Sequence, residues 1–364
     1  MIFRGNESLK ARGAFTKMID IFRNTTVLSA LAFLFAAPDI QAQSPARNLV
    51  PVTADNFIRA ESDLYLGKIV KDGAFGKFIH HRELASLDNQ AVIRLNRDTL
   101  YSSAVFDLDA GPVKITLPNA GKRFMSMQVI NEDHYIFEVD YGAGNYNFTK
   151  AEVGTRYVLM VLRTLADPAN PQDLKQAHAL QDAVTVKQRV PGWFEVPNWD
   201  SVSQKKMRDA LLMMNASLPD LRRAFGSRVQ VDQVRHLIGT AAAWGGNPDR
   251  DAMYLNVTPS KNDGAAIYKL SVPGKVPVNA FWSVTVYDAE GYLKKNQYDA
   301  YSLNSMTAKK SADGSVVVQF GGCDGKSTNC LPIMKGWNYM VRLYRPRDEV
   351  LNGKWKFPDA QAVN

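Results

Sequence analysis

The chain has 364 residues, 46% hydrophobic and 22% charged, with 44 Lys and Arg against 36 Asp and Glu and a formal net charge of +8. This is ordinary globular composition, which excludes a disordered or low-complexity chain and is long enough for two hydrophobic cores. Basic residues come as scattered pairs (Lys205/Lys206, Lys294/Lys295, Lys309/Lys310) with no run of like charge, so a nucleic-acid-binding stripe is excluded as well.

The first 42 residues read as a secretory signal. In "MIDIFRNTTVLSALAFLFAAPDIQAQS" a basic Arg23 precedes an apolar run from Val27 to Ala37 and a small-residue end at Ala42. The run is too short to span a bilayer. Cleavage there would lower the charge to +6 and leave a periplasmic mature chain with no transmembrane segment. A helix is predicted next, with Thr53 as its cap, Phe57, Ala60, Leu64 and Ile69 on one face, and an end near Gly73. The period then changes from helical to alternating. Ala104, Phe106 and Leu108, then Val113, Ile115 and Leu117, read as strands joined at "GP", followed by strands over 124–130, 135–141 and 156–163. Asn170 before Pro171 is a helix start, with Leu174, Ala177 and Leu180 at helical spacing. Two or three more helices are predicted between about 200 and 243. The last third returns to strands, in "AMYLNVT", "AIYKLSV", "AFWSVTVYD", "GSVVVQF" and "NYMVRLY".

Short strands at turn-marked spacing predict a mainly β, α+β chain of two antiparallel β-sandwich or jelly-roll-like domains separated by helices. The boundaries that follow are residues 43–195, 196–245 and 246–364. Cys323 and Cys330 are the two cysteines, close together in a glycine-containing loop of an exported chain, and a disulfide is expected.

The chemistry-bearing residues gather at "NRDTLYSSAVFDL", where Asn96, Arg97, Asp98 and Tyr101 open a strand. Arg97 could grip a carboxylate while Asp98 moves a proton and Tyr101 orients the substrate; alternatively Arg97 and Asp98 form an ion pair that ties a loop to the sheet. In "NEDHYIFEVDY", His134 and Glu138 have the spacing of a helical metal pair, but the alternating aromatics say strand, where four residues span about 13 Å, too far for one ion. His134, Ile136, Glu138 and Asp140 would then share one face, with His134 as a second acid/base candidate. Tyr135, Trp244, Tyr298 and Tyr301 are candidate ligand contacts, because aromatic rings with polar tips suit amphipathic ligands. His178 and His236 read as core-edge residues, and Trp282 as core. No nucleophile elbow, Walker loop or His-Glu-x-x-His occurs, and "GAGNY" leads out of a strand rather than into a helix, so no metal and no cofactor are expected.

The stretches "NRDTLYSSAVFDLDAGPVKITLP" and "KRFMSMQVINEDHY" resemble the bacterial family known as domain of unknown function 1254. "FWSVTVYDAEGYL", "NCLPIMKGWNYMVRLYRP" and "NGKWKFPDAQAV" resemble its C-terminal companion, domain of unknown function 1214. The resemblance implies an exported or envelope protein with two β-sandwich domains around a helical segment. The function expected is binding of a small-molecule or carbohydrate ligand in a cleft, with cofactor-free hydrolase or lyase chemistry by Asp98, His134 and Arg97. The alternative is a non-catalytic envelope interaction module, and a homo-oligomer is compatible with either.

Overall fold

In chain order, the computed structural model, which describes residues 48–88, 90 and 93–363, begins with helix α1, Phe57–Lys71. The proposed signal lies outside the described residues. Thr53 does not cap this helix: the N-cap is Asn56, whose side chain bonds back to the Thr53 N–H at 2.8 Å. Strands β1 (Ile79–His80), β2 (Thr99–Asp107), β3 (Val113–Leu117), β4 (Met125–Asn131), β5 (Ile136–Asp140) and β6 (Gly144–Phe148) follow. After the short helix α2 (Lys150–Val153) come β7 (Tyr157–Leu165), α3 (Pro171–Asp182) and β8 (Thr185–Lys187). Asn170 caps α3 as read, its Oδ1 accepting from Gln172 and Asp173 N–H. Asp200 and Asp232 cap α4 (Ser201–Asn215) and α5 (Gln233–Ala242) in the same way.

The remaining strands are β9 (Ala252–Val257), β10 (Tyr268–Val272), β11 (Trp282–Tyr287), β12 (Ser302–Asn304), β13 (Val316–Phe320), β14 (Cys330–Leu331) and β15 (Asn338–Tyr344). Helix α6 (Asp348–Leu351) and β16 (Gln361–Ala362) close the chain. Among the described residues the strands form four sheets, ordered β1-β2-β7-β4-β5, β6-β3-β8, β12-β11-β15-β9 and β14-β13-β10-β16. Every strand pair within them is antiparallel except β13 with β14. The chain is therefore mainly antiparallel β with a few helices, as its periodicity predicts. Cys323 and Cys330 are joined by a disulfide at a Cα separation of 5.7 Å.

One core lies between the first two sheets, where Ala104, Phe106, Met127, Val129, Met160 and Leu162 meet Val113, Ile115, Leu117 and Phe148. A second lies between the other two, where Val284, Val286, Val341 and Leu343 meet Leu270, Val318 and Phe320 around Trp337. Alternation along each strand puts the intervening residues on the opposite face. In an isolated two-layer sandwich that face would be wet. Here β4, β11 and β15 are buried at every position. Part of the back of β2-β7-β4 is covered by α1 and by the segment carrying Phe225 and Trp244. The rest approaches the back of β11-β15-β9, where Phe124 packs on Phe281 at 5.1 Å and Tyr344 at 5.4 Å between ring centroids.

Helix α1 is anchored through three consecutive buried polar residues. Glu61 takes Arg208 and Gln204, Ser62 takes the Trp244 indole N–H, and Asp63 takes the Trp199 indole N–H at 2.8 Å. Burial pushes the Asp63 carboxyl up to about 6, against the pull of Trp199. An acid whose folded-state pKa is raised stabilises the fold fully below its unfolded pKa, near 3.9, and loses that contribution as pH rises through about 6. Asp63→Asn should accordingly flatten the decline in unfolding free energy between about pH 4 and 6 by roughly 2–3 kcal/mol relative to wild type. Superimposable urea-midpoint profiles for the two proteins across that range would contradict this.

Candidate functional site

The entrance to β2 is built by Asn96. Its Oδ1 accepts the Asp98 N–H at 3.0 Å, and its Nδ2 donates to Thr99 Oγ1 at 3.2 Å and to the Tyr101 hydroxyl at 3.1 Å. This is an Asx turn that makes the strand's first residues a rigid rim. Asp98, 2% exposed, points across to the C-terminal sandwich, where Oδ1 accepts from Ser302 Oγ at 3.0 Å and Asn304 Nδ2 at 3.4 Å. Its Oδ2 is buried with no hydrogen-bond partner among the described residues, and so is Ser283 Oγ on β11. The alternative of an Arg97–Asp98 ion pair is not found. Arg97 donates to the Ala85 carbonyl and lies over the Tyr301 ring, 5.4 Å from its centroid.

Two arginines complete the arrangement. Arg163 on β7 stands opposite Tyr101 on β2, and Arg342 on β15 stands opposite Tyr254 on β9, each on the back of its own sandwich. Both are almost wholly buried, Arg163 at 8% and Arg342 at 2% exposure. Arg163 donates to Gln128 Oε1 at 2.6 Å and, at 3.4 Å, to Asn247 Oδ1 and the Gly245 carbonyl. Arg342 donates to Thr285 Oγ1 at 2.9 Å, Tyr287 Oη at 2.7 Å and the Arg94 carbonyl at 2.8 Å. Neither has a carboxylate within 4.0 Å among the described residues. A guanidinium taken out of water without a counter-ion costs several kcal/mol. Neutral acceptors offset part of that, and the carboxylate charge that acts on Arg342 from further off is Asp98.

These charges move the tyrosines in opposite directions. Burial alone would raise the Tyr101 phenol, but the charge of Arg163, hydrogen bonds to the phenol oxygen and the charge of Arg342 together lower it. Tyr344, on β15 beside Arg342, is pushed well above its usual range by burial and by the negative charge of Asp98. Groups whose environments drive their acidities apart are the usual mark of a proton donor and a proton acceptor in one site.

His134 does not share a strand face with Glu138 and Asp140. It precedes β5, in a turn with a backbone φ of +60°, and is fully buried. Its Nε2 accepts the Gly245 N–H at 2.8 Å, so its proton is on Nδ1, donated to Thr240 Oγ1 at 2.8 Å; the Thr240 hydroxyl goes to the His236 carbonyl. Burial and neighbouring His236 hold its pKa well below the usual histidine range. With both nitrogens occupied, the ring is a structural strut. It anchors the turn whose carbonyl meets Arg163. Around it Tyr65, Trp244, His134, His236 and Tyr135 stack in sequence at centroid spacings of 4.6, 5.2, 5.4 and 4.6 Å.

The structure thus brings Asn96, Asp98 and Tyr101 to the interface between the two sandwiches, with Arg97 and Tyr301 packed beside it. Trp244 and Tyr135 belong to the ring stack, and Tyr298 donates to the Cys323 carbonyl in the disulfide loop. The residues missed by sequence reasoning are Arg163, Arg342, Tyr254, Tyr287 and Tyr344. Their signal was an arginine within each of the apolar strands "VLMVLRTL" and "NYMVRLY", at a position that alternation assigns to the outer face. Among the described residues no group of three or more His, Cys, Asp or Glu is placed to hold a metal ion. Beside this interface an open groove of about 770 Å³ runs past Arg123, Asp173 and Met306 and is also lined by Asn304, the partner of Asp98. Arg123 is neutralised there by Asp173 at 2.6 Å.

Fold and site together define a class: two β-sandwiches packed back to back, with buried arginines and tyrosines between them. Within it, residues 75–145 match the family model described as "Protein of unknown function (DUF1254)" and residues 252–348 the one described as "Protein of unknown function (DUF1214)", in the order the sequence motifs indicate. The first match carries Asp98 and Tyr101, and the second carries Arg342. Among solved structures, the VPA0106 protein from Vibrio parahaemolyticus is similar at a TM-score of 0.64 and 18% identity, over 85% of this chain and 98% of that one. An uncharacterised protein from Burkholderia cenocepacia aligns at a TM-score of 0.47 and 14% identity, over 85% and 88% of the two chains. No curated protein matches. At such identity the likeness to VPA0106 speaks for the fold alone.

Proposed function

We propose that the protein is exported and binds a small organic anion, a carboxylic acid or acidic sugar, at the interface between its sandwiches. The observation that carries this reading is the pair of buried guanidiniums with no carboxylate within 4.0 Å among the described residues, two cations that share the one nearby carboxylate charge of Asp98. Such groups bind carboxylates through planar two-point hydrogen bonds and gain most when the anion also adds counter-charge. Asp98 and Ser283, with an unpartnered oxygen each, add polar contacts for hydroxyl groups on the ligand. The disulfide and the signal-like first 42 residues favour an oxidising compartment outside the cytoplasm.

Thermal-shift screening of the mature chain, with galacturonate, malate and acetate set against galactose and glucose, tests this. A ligand present at 100 times its Kd should add about 2.7 kcal/mol of stability, and thus several degrees. The acids should produce that shift, weakened by added salt. Stabilisation by the neutral sugars and none by the acids would overturn it.

A further inference from the structure

The surroundings of the Tyr101 oxygen are one-sided. The Asn96 carboxamide has only one usable orientation, because its Oδ1 accepts the Asp98 N–H, so Nδ2 is the atom turned to the phenol at 3.1 Å. The Arg163 guanidinium lies 5.5 Å from the centre of the same ring. Among the described residues no acceptor takes the Tyr101 O–H. An oxygen met by a fixed donor and a buried cation, with nothing to receive its own proton, is arranged for the phenolate rather than the phenol.

We propose that Tyr101 is the proton acceptor at this interface and removes the proton from the carbon next to the carboxylate of a bound organic acid, an inference that rests on the anion-binding reading above. In that step the C–H bond breaks and its proton passes to the Tyr101 phenolate oxygen. The electron pair moves into the carboxylate, giving an enediolate whose added charge faces Arg163 and Arg342. Where the adjacent carbon carries a leaving group, the pair closes a C=C bond and the group departs with its own bonding electrons. The step is an elimination and consumes no oxidant, reductant or cofactor. The lowered pKa of Tyr101 against the raised pKa of Tyr344 agrees with Tyr101 as the base of the two.

Spectrophotometric titration of the phenolate band tests Tyr101 without any ligand. Wild type should gain one tyrosine's absorbance at lower pH than the rest; Tyr101→Phe should lack that step, and Asn96→Ala should move it upward. Superimposable wild-type and Tyr101→Phe curves would overturn the proposal. The second arm follows, by proton NMR in D2O, exchange of the hydrogen next to the carboxylate of galacturonate and of malate. Tyr101→Phe should still be stabilised by the acid but exchange at least about 100-fold more slowly; equal exchange in both proteins removes Tyr101 from the chemistry. If neither acid stabilises wild type, it is the binding reading that fails, and the titration alone then decides for or against Tyr101.

Discussion

Arg342→Met is expected to abolish stabilisation by organic anions, and Arg163→Met to weaken it at least about 30-fold, a loss of about 2 kcal/mol or more of the kind measured when one partner of a buried charge pair is removed. The two side chains come from different sandwiches, so each variant leaves the other guanidinium in place. Arg163→Lys separates charge from shape: it keeps the cation but loses the planar fork that Gln128 and the Gly245 turn hold in place, and should fall between wild type and Arg163→Met. The measured quantity is the shift on adding ligand, so any change in ligand-free stability cancels. Arg123→Met supplies the contrast, since that guanidinium lines the open groove and is already neutralised by Asp173. It should leave the anion response unchanged. A response lost with Arg123 and kept with Arg342 would move the ligand from the interface to the groove.

Trp337→Ala is expected to cost about 3–5 kcal/mol in unfolding free energy, the range for emptying a buried large aromatic. Trp337 is fully buried at the centre of the C-terminal core, in ring contact with Tyr268, Phe320 and Tyr339 at 5.6, 5.1 and 6.1 Å. Its indole N–H has no partner among the described residues, so Trp337→Phe loses volume but also removes an unsatisfied donor and should cost far less. Trp193, 64% exposed, is the control: Trp193→Ala should change stability by less than about 1 kcal/mol. Denaturant melts of the three variants check the order, and a Trp337→Ala cost below that of Trp193→Ala would contradict the packing described.

Much of this architecture could be read from residue order, because the signals were local. Asn170 and Pro171 open α3 as a cap and first-turn pair must, and the alternation of Val113, Ile115 and Leu117 marks β3 with its core face. The two cysteines, seven residues apart, pair as expected. The readings that failed depended on what the far side of a sheet meets. Alternation assigns Arg163 and Arg342 to an outer face, and only the packing of one sandwich on another turns that face into an interior. His134 was placed in the strand by the alternating aromatics that follow it; the register of β4 and β5 shifts between Val129 and Ile130, and His134 falls in the turn. The rim Asn96, Asp98 and Tyr101 was legible as a cluster. Its partners were not, since they lie some sixty and two hundred and forty residues further along the chain, and no spacing rule joins such distant strands.

A crystal structure of the mature protein soaked with galacturonate puts the buried arginines to the most direct test. Ordered density is expected between the two sandwiches, with a carboxylate at hydrogen-bonding distance from both Arg163 and Arg342 and a carbon-bound hydrogen facing Tyr101. Density confined to the groove beside Arg123 and Asp173, with the two buried guanidiniums left untouched, would contradict it.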